Sequence, residues 1–376
     1  MSETQKHTKP NVPNLRFPGF EGEWESRKIG EDCSVLMCKR IFAHQTSEQG
    51  DVPFYKIGTI GAEPDAYISR ELFEDYKAKY NYPREGEVMV TCAGTVGKTI
   101  VFNGDDSYYQ DSNIVWLSNP KQLYLNSFLN YYLSRVNWNK LNSTTITRIY
   151  NDNLRELIIK YPSVEEQEKI VSLLSLLDQR IAVQNKVIEK YESLIKALRH
   201  HLFSSMEPVR VVSFANVLSY EQPTKYIVSD TEYSENKDLT PVLTANKAFI
   251  LGYTEEIEGV YDKGPCIILD DFTLDSKIVD FPFKVKSSAV KILSAKTTIS
   301  LRYIFEYLKF LDLNTDEHKR HYIAEIEPMT LGLPEEGLIH TIACLFERLD
   351  QRIKGLERDL QLLKSQKDYM LRAMFI

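Results

Sequence analysis

Several short runs in this chain carry residue types that chemistry uses. Ala93-Gly94-Thr95-Val96-Gly97-Lys98-Thr99 has the glycines, lysine and hydroxyls of a phosphate-cradling loop. Such a loop needs glycine at position 92, which is Cys92, and it should lead into a helix. Instead Ile100-Val101-Phe102 reads as a strand. The run is therefore expected to be a tight turn between strands, from which Gly94, Thr95 and Lys98 can still touch DNA phosphate. Asp270-Asp271-Phe272-Thr273, followed by Asp275-Ser276-Lys277, resembles a metal-dependent nuclease fragment, in which carboxylates hold Mg²⁺ near a lysine. No second acidic group is placed by pattern. A structural loop or a base-reading loop is the preferred expectation, since carboxylates can accept from cytosine N4. His318 and His321 flank Lys319-Arg320, and no Cys or His cluster completes a zinc site. That run suits a basic surface loop in which Lys319 and Arg320 contact phosphate.

Phe283-Lys284-Val285-Lys286-Ser287-Ser288 alternates apolar and basic residues, which puts Lys284 and Lys286 on one face of a strand. That face can meet DNA, with Ser287 beside it, or simply be solvated. Gln222-Pro223-Thr224-Lys225 is polar and turn-prone, and glutamine suits bidentate contact with adenine. Asn246 and Lys247, and Arg148 at the end of the polar run 144–148, complete the DNA-contact candidates. Neither a Gly-rich cofactor loop after an early strand nor an Asn/Asp-Pro-Pro-aromatic motif occurs, and spacing supports no Ser/His/Asp or Cys/His arrangement. No catalytic and no metal-ligating residue is assigned.

The elements that would position these residues are organised by a helix that occurs twice. Leu177-Asp178-Gln179-Arg180-Ile181 recurs as Leu349-Asp350-Gln351-Arg352-Ile353, and the offset of 172 residues takes Pro162 to Pro334 and Phe203 to Phe375 without a gap. Each copy has a heptad seam. The first runs Ile170, Leu174, Leu177, Ile181, Gln184, Ile188, Tyr191, Ile195, Leu198, Leu202. The second runs Ile342, Phe346, Leu349, Ile353, Leu356, Leu360, Leu363, Lys367, Met370, Met374. Apolar spacing of this kind predicts a coiled coil, with Gln184 and Lys367 as polar, register-fixing breaks. A proline precedes each copy, as a helix start favours. Each helix would be about 60 Å long.

The lobes between the helices repeat more loosely. Phe128, Leu129, Tyr132 and Leu133 match Tyr303, Ile304, Tyr307 and Leu308, and Arg148 and Tyr150 match Arg320 and Tyr322. The reading is a mixed α+β chain: a disordered tail over 1–13, lobe one over 14–161, a helix over 162–204, lobe two over 205–333 and a helix over 334–376. Strands are expected at Pro53–Ile57, Glu87–Thr91, Thr99–Phe102 and Ile114–Leu117 in lobe one. In lobe two they are expected at Val209–Phe214, Ala248–Leu251, Cys266–Leu269 and Ile278–Val285. Helices are expected at Leu125–Trp138 and Leu301–Leu311. The two long helices bury their seams on each other. If a pseudo-two-fold axis relates the lobe–helix pairs, the helices run antiparallel, with a lobe at each end. The net charge of −7 argues mildly against nucleic acid, but local basic patches decide that question. Five scattered cysteines, without a C-x-x-C, read as reduced in a cytosol. The polar start and the lack of an apolar run of about eighteen residues give neither a signal peptide nor a membrane span.

These residues resemble the specificity subunit of type I restriction-modification enzymes. The resemblance covers nearly the whole chain. It rests most on Pro162-x-x-Glu165-Glu166-Gln167-x-Lys169-Ile170 and the repeated LDQRI, with Leu15-Arg-Phe-Pro-Gly-Phe20, Gly86-Glu-Val and Gly94-Thr-Val-Gly-Lys98 in support. Gln222–Tyr226, Pro241–Ala245, Asp270–Thr273 and Phe281–Ser288 resemble one recognition-domain subtype. The second helix departs at Gly337-Leu338-Ile339, where a Glu/Gln-rich start is expected. The resemblance implies that each lobe reads one half of a bipartite, asymmetric site in double-stranded DNA. The helices would set the spacer and dock two methyltransferase subunits, with restriction subunits joining through them. Leu177, Ile181, Ile188, Leu349, Ile353 and Leu360 would be the coiled-coil and partner positions. S-adenosylmethionine, ATP and Mg²⁺ would belong to the partners, and this chain would be non-catalytic and cytoplasmic. The competing readings are a nuclease or methyltransferase acting alone, against which the missing cofactor motifs speak, and a coiled-coil scaffold, against which the two α/β lobes speak.

Overall fold

In the computed structural model the described residues are 11–138, 148–245, 248–315, 317 and 319–376. The expected disordered tail lies, through residue 10, outside them. The chain divides into two compact units, Met1–Val183 with Leu360–Ile376, and Gln184–Asp359.

The first unit holds β1 (Glu25–Lys28), α1 (Ile29–Asp32), β2 (Ser34–Leu36), β3 (Val52–Tyr55), β4 (Tyr67–Ile68), α2 (Arg70–Lys79), β5 (Val88–Thr91), β6 (Thr99–Val101), β7 (Tyr108–Tyr109), β8 (Ile114–Ser118), α3 (Asn126–Ser134), α4 (Asn151–Glu156) and β9 (Ile158–Tyr161). The long helix α5 (Val164–Ser205) follows. Lobe two holds β10 (Arg210–Ser213), α6 (Phe214–Val217), β11 (Leu218–Glu221), β12 (Thr240–Leu243), β13 (Ile250–Thr254), β14 (Cys266–Asp270), β15 (Ser276–Val279), β16 (Lys284–Val285), β17 (Val290–Ala295), α7 (Leu301–Phe310) and β18 (Thr330–Leu333). The second long helix is α8 (Glu336–Met374).

The lobes share one topology. A four-stranded sheet β2-β8-β5-β6 matches β11-β17-β14-β15, a three-stranded sheet β4-β3-β7 matches β13-β12-β16, and the pair β1-β9 matches β10-β18. Even the parallel strand pairing recurs, β3 with β7 and β12 with β16. The loose repeat of the lobes is thus structural. The run expected as a single strand over Ile278–Val285 is two strands, broken at Asp280–Phe283.

The central strands are buried on both faces and read as unbroken apolar runs, β5 as Val-Met-Val-Thr and β14 as Cys-Ile-Ile-Leu-Asp. Side chains alternate across the sheet. Val88 and Val90 therefore pack with Phe128 and Leu129 of α3, while Met89 packs with Phe54 and Tyr108 of the three-stranded sheet. In lobe two Ile267 and Leu269 face Tyr303 and Ile304 of α7, and Ile268 faces Leu243 and Val285. Ser69 and Ser300 cap α2 and α7, each accepting a backbone N–H of the first turn.

The heptad reading holds at every seam position: none of the twenty residues is exposed. In the first unit Ile170, Leu174 and Leu177 join Leu363, Met370 and Met374 in the core. In the second, Ile195, Leu198 and Leu202 join Ile342, Phe346, Leu349 and Ile353. There Gln184 donates to the Leu356 carbonyl at 2.8 Å and Arg199 lies over the Phe346 ring at 5.6 Å, so the numbering rises on one helix as it falls on the other. The pairing is antiparallel. Both polar breaks are satisfied: Gln184 meets the residue in its own position of the other copy, and Lys367 pairs with Asp178 at 2.5 Å. The repeated aspartate also ties each helix to its lobe. Asp178 accepts from Tyr131 of α3 at 2.7 Å, and Asp350 pairs with Arg302 of α7 at 2.5 Å.

The motif around Glu166 is an anchor. Arg16 grips Glu166 with two bonds, 2.8 and 2.7 Å, and buried Gln167 bonds the Leu125 amide and the Leu123 carbonyl. In the second copy Leu338 stands in place of Glu166, so the carboxylate that Arg16 grips has no counterpart at that position. Arg16→Ala is expected to cost about 2–3 kcal/mol, less than a fully buried pair because Arg16 is slightly exposed. Limited proteolysis should show cleavage within residues 11–24 at protease levels that spare the unaltered chain, and equal resistance would contradict the anchor.

Candidate nucleic-acid interface

The run 93–99 is the tip of the β5–β6 hairpin, as expected, and leads into a strand. Thr91 closes the turn: its backbone bonds Gly97 N and Lys98 O, and its hydroxyl accepts from Lys98 N at 3.0 Å. Gly94 and Gly97 both have positive φ. A side chain on Gly97 would fall 2.0 Å from the Trp138 ring, so the close approach of the tip to that ring requires glycine. Thr95 and Lys98 are exposed, and Lys98 Nζ donates to the Ile60 carbonyl at 2.6 Å. Arg148 lies beside this tip. Its Nη2 donates to the Ser112 carbonyl at 3.3 Å, and the next residue, Ile149, donates its N–H to the Cys92 carbonyl at 2.9 Å.

Lobe two builds the same junction from different residues. The β14–β15 tip contains Asp271–Asp275, and His321 N donates to the Asp271 carbonyl at 3.1 Å, as Ile149 does to Cys92. Arg320, the repeat partner of Arg148, is exposed, with its guanidinium 6.0 Å from the Phe272 ring centroid. An arginine therefore stands beside the same hairpin tip in each lobe.

Three expectations are corrected here. Of the two readings of Asp270–Thr273 the structural loop holds and the base-reading loop does not, because Asp270 and Asp271 are both buried and engaged. Asp270 Oδ1 accepts the Phe272 and Thr273 amides at 2.9 Å, and Asp271 pairs with buried Lys291 at 3.2 Å and accepts from Tyr322 N at 2.8 Å. Lys284 does not share an outward face with Lys286. Its side chain is 4% exposed, pairs with Glu256 at 2.5 Å and donates to the Glu258 carbonyl at 2.7 Å. His321 is not a surface residue but is buried against Glu325 and Thr315, and the Glu325 bond raises its pKa.

The other candidates keep surface positions. Lys286 and Ser287 are exposed just past β16. Gln222, Thr224 and Lys225 are exposed around a single 3₁₀ turn, Pro223–Tyr226. Lys225 and Lys263 both bond Glu221, at 2.8 and 2.9 Å. Burial opposes the charge on Glu221, but bonds from Lys225, Lys263 and Tyr226 outweigh it and hold the carboxyl at about 2. Lys319 pairs with Glu317 and Glu325. Asn246, Lys247, His318 and most of the run 144–148 lie outside the described residues. Of the coiled-coil positions, Leu177 and Ile188 are buried and Ile181, Leu349, Ile353 and Leu360 half-buried within the seam. They serve the helix pair itself, and the exposed apolar residues Leu176, Val183, Leu194 and Leu362 lie off the seam.

Sequence reading missed Lys39-Arg40-Ile41-Phe42-Ala43-His44. Phe42 is 53% exposed and stacks on His44, and Lys39 lies over the exposed Tyr80 ring at 5.3 Å. Its signal was there: basic and aromatic residues interleaved in a loop. Burial raises the thiols of Cys92, to about 11, and Cys266, to about 12, which leaves them inert packing groups. Among the described residues no group of three or more His, Cys, Asp or Glu could hold a metal, and no helix is long and apolar enough to cross a membrane.

Residues 21–193 match the family model described as the type I restriction modification DNA specificity domain. A putative type I restriction enzyme specificity subunit of Haemophilus influenzae is 49% identical over 147 residues, 39% of this chain and 38% of that one. The EcoR124I/EcoR124II specificity subunit of Escherichia coli is 40% identical over 132 residues, 34% of this chain and 32% of that one. The matches thus span well under half the length of these curated relatives. The crystal structure of a type I restriction-modification S subunit from M. genitalium shares the fold, with a TM-score of 0.62 at 17% identity over 97% of this chain and 99% of that one.

Proposed function

We propose that this chain, whose residues 21–193 match the type I restriction modification DNA specificity domain, is the sequence-specificity subunit of such a system. Each lobe reads one half of a bipartite, asymmetric site in double-stranded DNA. The paired helices set the unspecified gap and dock two methyltransferase subunits, to which restriction subunits bind. The chemistry belongs to those partners, which hold S-adenosylmethionine, ATP and Mg²⁺. The chain itself is non-catalytic and works in the cytoplasm.

One observation carries this reading. Two lobes of one topology present an arginine beside the same hairpin tip, while the tips differ completely in sequence. A shared arginine suits the shared phosphate backbone, and differing tips suit differing base sequences. The reading of a lone nuclease is weakened by the engagement of Asp270 and Asp271 with the loop amides and Lys291.

The test is DNA affinity against salt for the chain assembled with its methyltransferase partners. Arg148→Ala and Arg320→Ala should each weaken binding on all sequences alike and lower the salt slope by about one. Unchanged affinity and slope in both variants would overturn the phosphate assignment.

A further inference from the structure

Lobe one has a cleft of about 340 Å³ against its three-stranded sheet, between the loop that follows β2 and the turn that follows β7. Phe54 and Ile41 form its floor, and Arg40, Gln110, Asp111 and Asn113 bring polar groups to it. Arg40 Nε donates to Asp111 Oδ2 at 2.9 Å while the arginine side chain is more than half exposed, so its two terminal nitrogens form a fork held from behind. Gln110 takes the Ile57 amide on its Oε1 at 3.3 Å. Arg148, the candidate phosphate contact, bonds the Ser112 carbonyl in the same turn.

The topology gives these residues counterparts. β2 pairs Leu36 with Trp116, and β11 pairs Glu221 with Ile292. Trp116 and Ile292 hold the same place in their sheets, opposite Met89 and Ile268. Four residues past each, Arg40 stands in lobe one where Lys225 stands in lobe two. The second wall matches as well. Gln110 N donates to Tyr55 O at 2.9 Å, and Lys286 N to Leu243 O at 3.1 Å, each just beyond the parallel strand pair. The lobe-two positions singled out by composition thus map onto Arg40 and Gln110, which composition alone passed over.

We infer that this cleft is the base-reading site of lobe one, with Arg40 and Gln110 as its specificity-determining residues. The inference rests on the function proposed above. The ligand is the major-groove edge of double-stranded DNA: an arginine fork matches guanine O6 and N7, and a glutamine amide matches adenine N6 and N7. The exposed Phe42–His44 stack lies at the rim, where an apolar face meets sugar or a thymine methyl.

The experiment uses the chain assembled with its methyltransferase partners, and methylated sites are mapped on a random-sequence duplex library. Gln110→Ala and Arg40→Ala should each relax letters in one half of the split site and slow methylation of the original site about tenfold, leaving the gap and the other half unchanged. Lys286→Ala should alter only the other half. If Arg40→Ala lowers the melting temperature sharply, Arg40→Lys, which keeps the charge on Asp111, replaces it. Both halves and the full rate retained in the Gln110 and Arg40 variants would overturn the inference while leaving the proposed function standing. If the unaltered complex methylates no split site, the function itself fails and takes the inference with it.

Discussion

Asp271→Ala is expected to destabilise the second lobe by about 3–5 kcal/mol, the cost of breaking a buried ion pair from one side. Asp271 and Lys291 are each 2% exposed, and their charges are 3.2 Å apart. The alanine leaves Lys291 against the Tyr220 hydroxyl, a neutral group at 2.9 Å that cannot balance its charge. It also removes the acceptor of the Tyr322 amide and a second acceptor of the His321 amide. Replacing the pair together, as Asp271→Ala with Lys291→Met, should recover part of the loss, because no uncompensated charge is then buried. Denaturant unfolding, followed by hydrogen exchange at 266–279 and 319–326, measures both variants. A cost below about 1 kcal/mol for the single change would contradict the assigned role. The loop held this way carries Arg320, so the phosphate contact proposed for that residue should loosen as well.

Shortening both long helices by one matched heptad, Ile181–Val187 with Ile353–Asp359, is expected to change the gap in the recognised site and not its letters. The two segments are centred on Gln184 and Leu356, which meet each other, so the seam keeps its phase. Each helix loses about 10 Å, close to three base pairs at 3.4 Å each. Shortening the first helix alone should fail, because in each unit its seam packs against the second helix and would fall out of register. Mapping the methylated motif of the assembled complex decides the matter. Altered letters with an unchanged gap would contradict the role of the helices as spacer.

The long helices were legible because a heptad seam is a local signal repeated many times, and the shared Asp178 and Asp350 lay within it. The inner strands β5, β8 and β14 were legible as apolar runs, whereas β17, where Lys291 and Ser294 interrupt the apolar residues, was not. α2 was not, because its only buried residue is Phe73 and, Leu72 and Ala78 apart, the rest of it is charged or tyrosine. Strands β7 and β16, two residues each, are set by parallel pairing to distant chain and have no period to read. Lys284 looked like a surface lysine, and Lys291 drew no reading at all. Their partners, Glu256 and Asp271, are neighbours only once the sheets form. Arg40 and Gln110 became candidates only when matched strand pairings put them in register with Lys225 and Lys286.

The central claim is that this chain alone chooses a split DNA sequence for methylating partners. The most direct measurement maps genome-wide methylation in cells that keep the partners fixed, with this chain present, deleted, or exchanged in lobe one only. A split methylated motif that vanishes on deletion, and changes in one half on exchange, is the predicted result. A methylome identical in all three would contradict the claim.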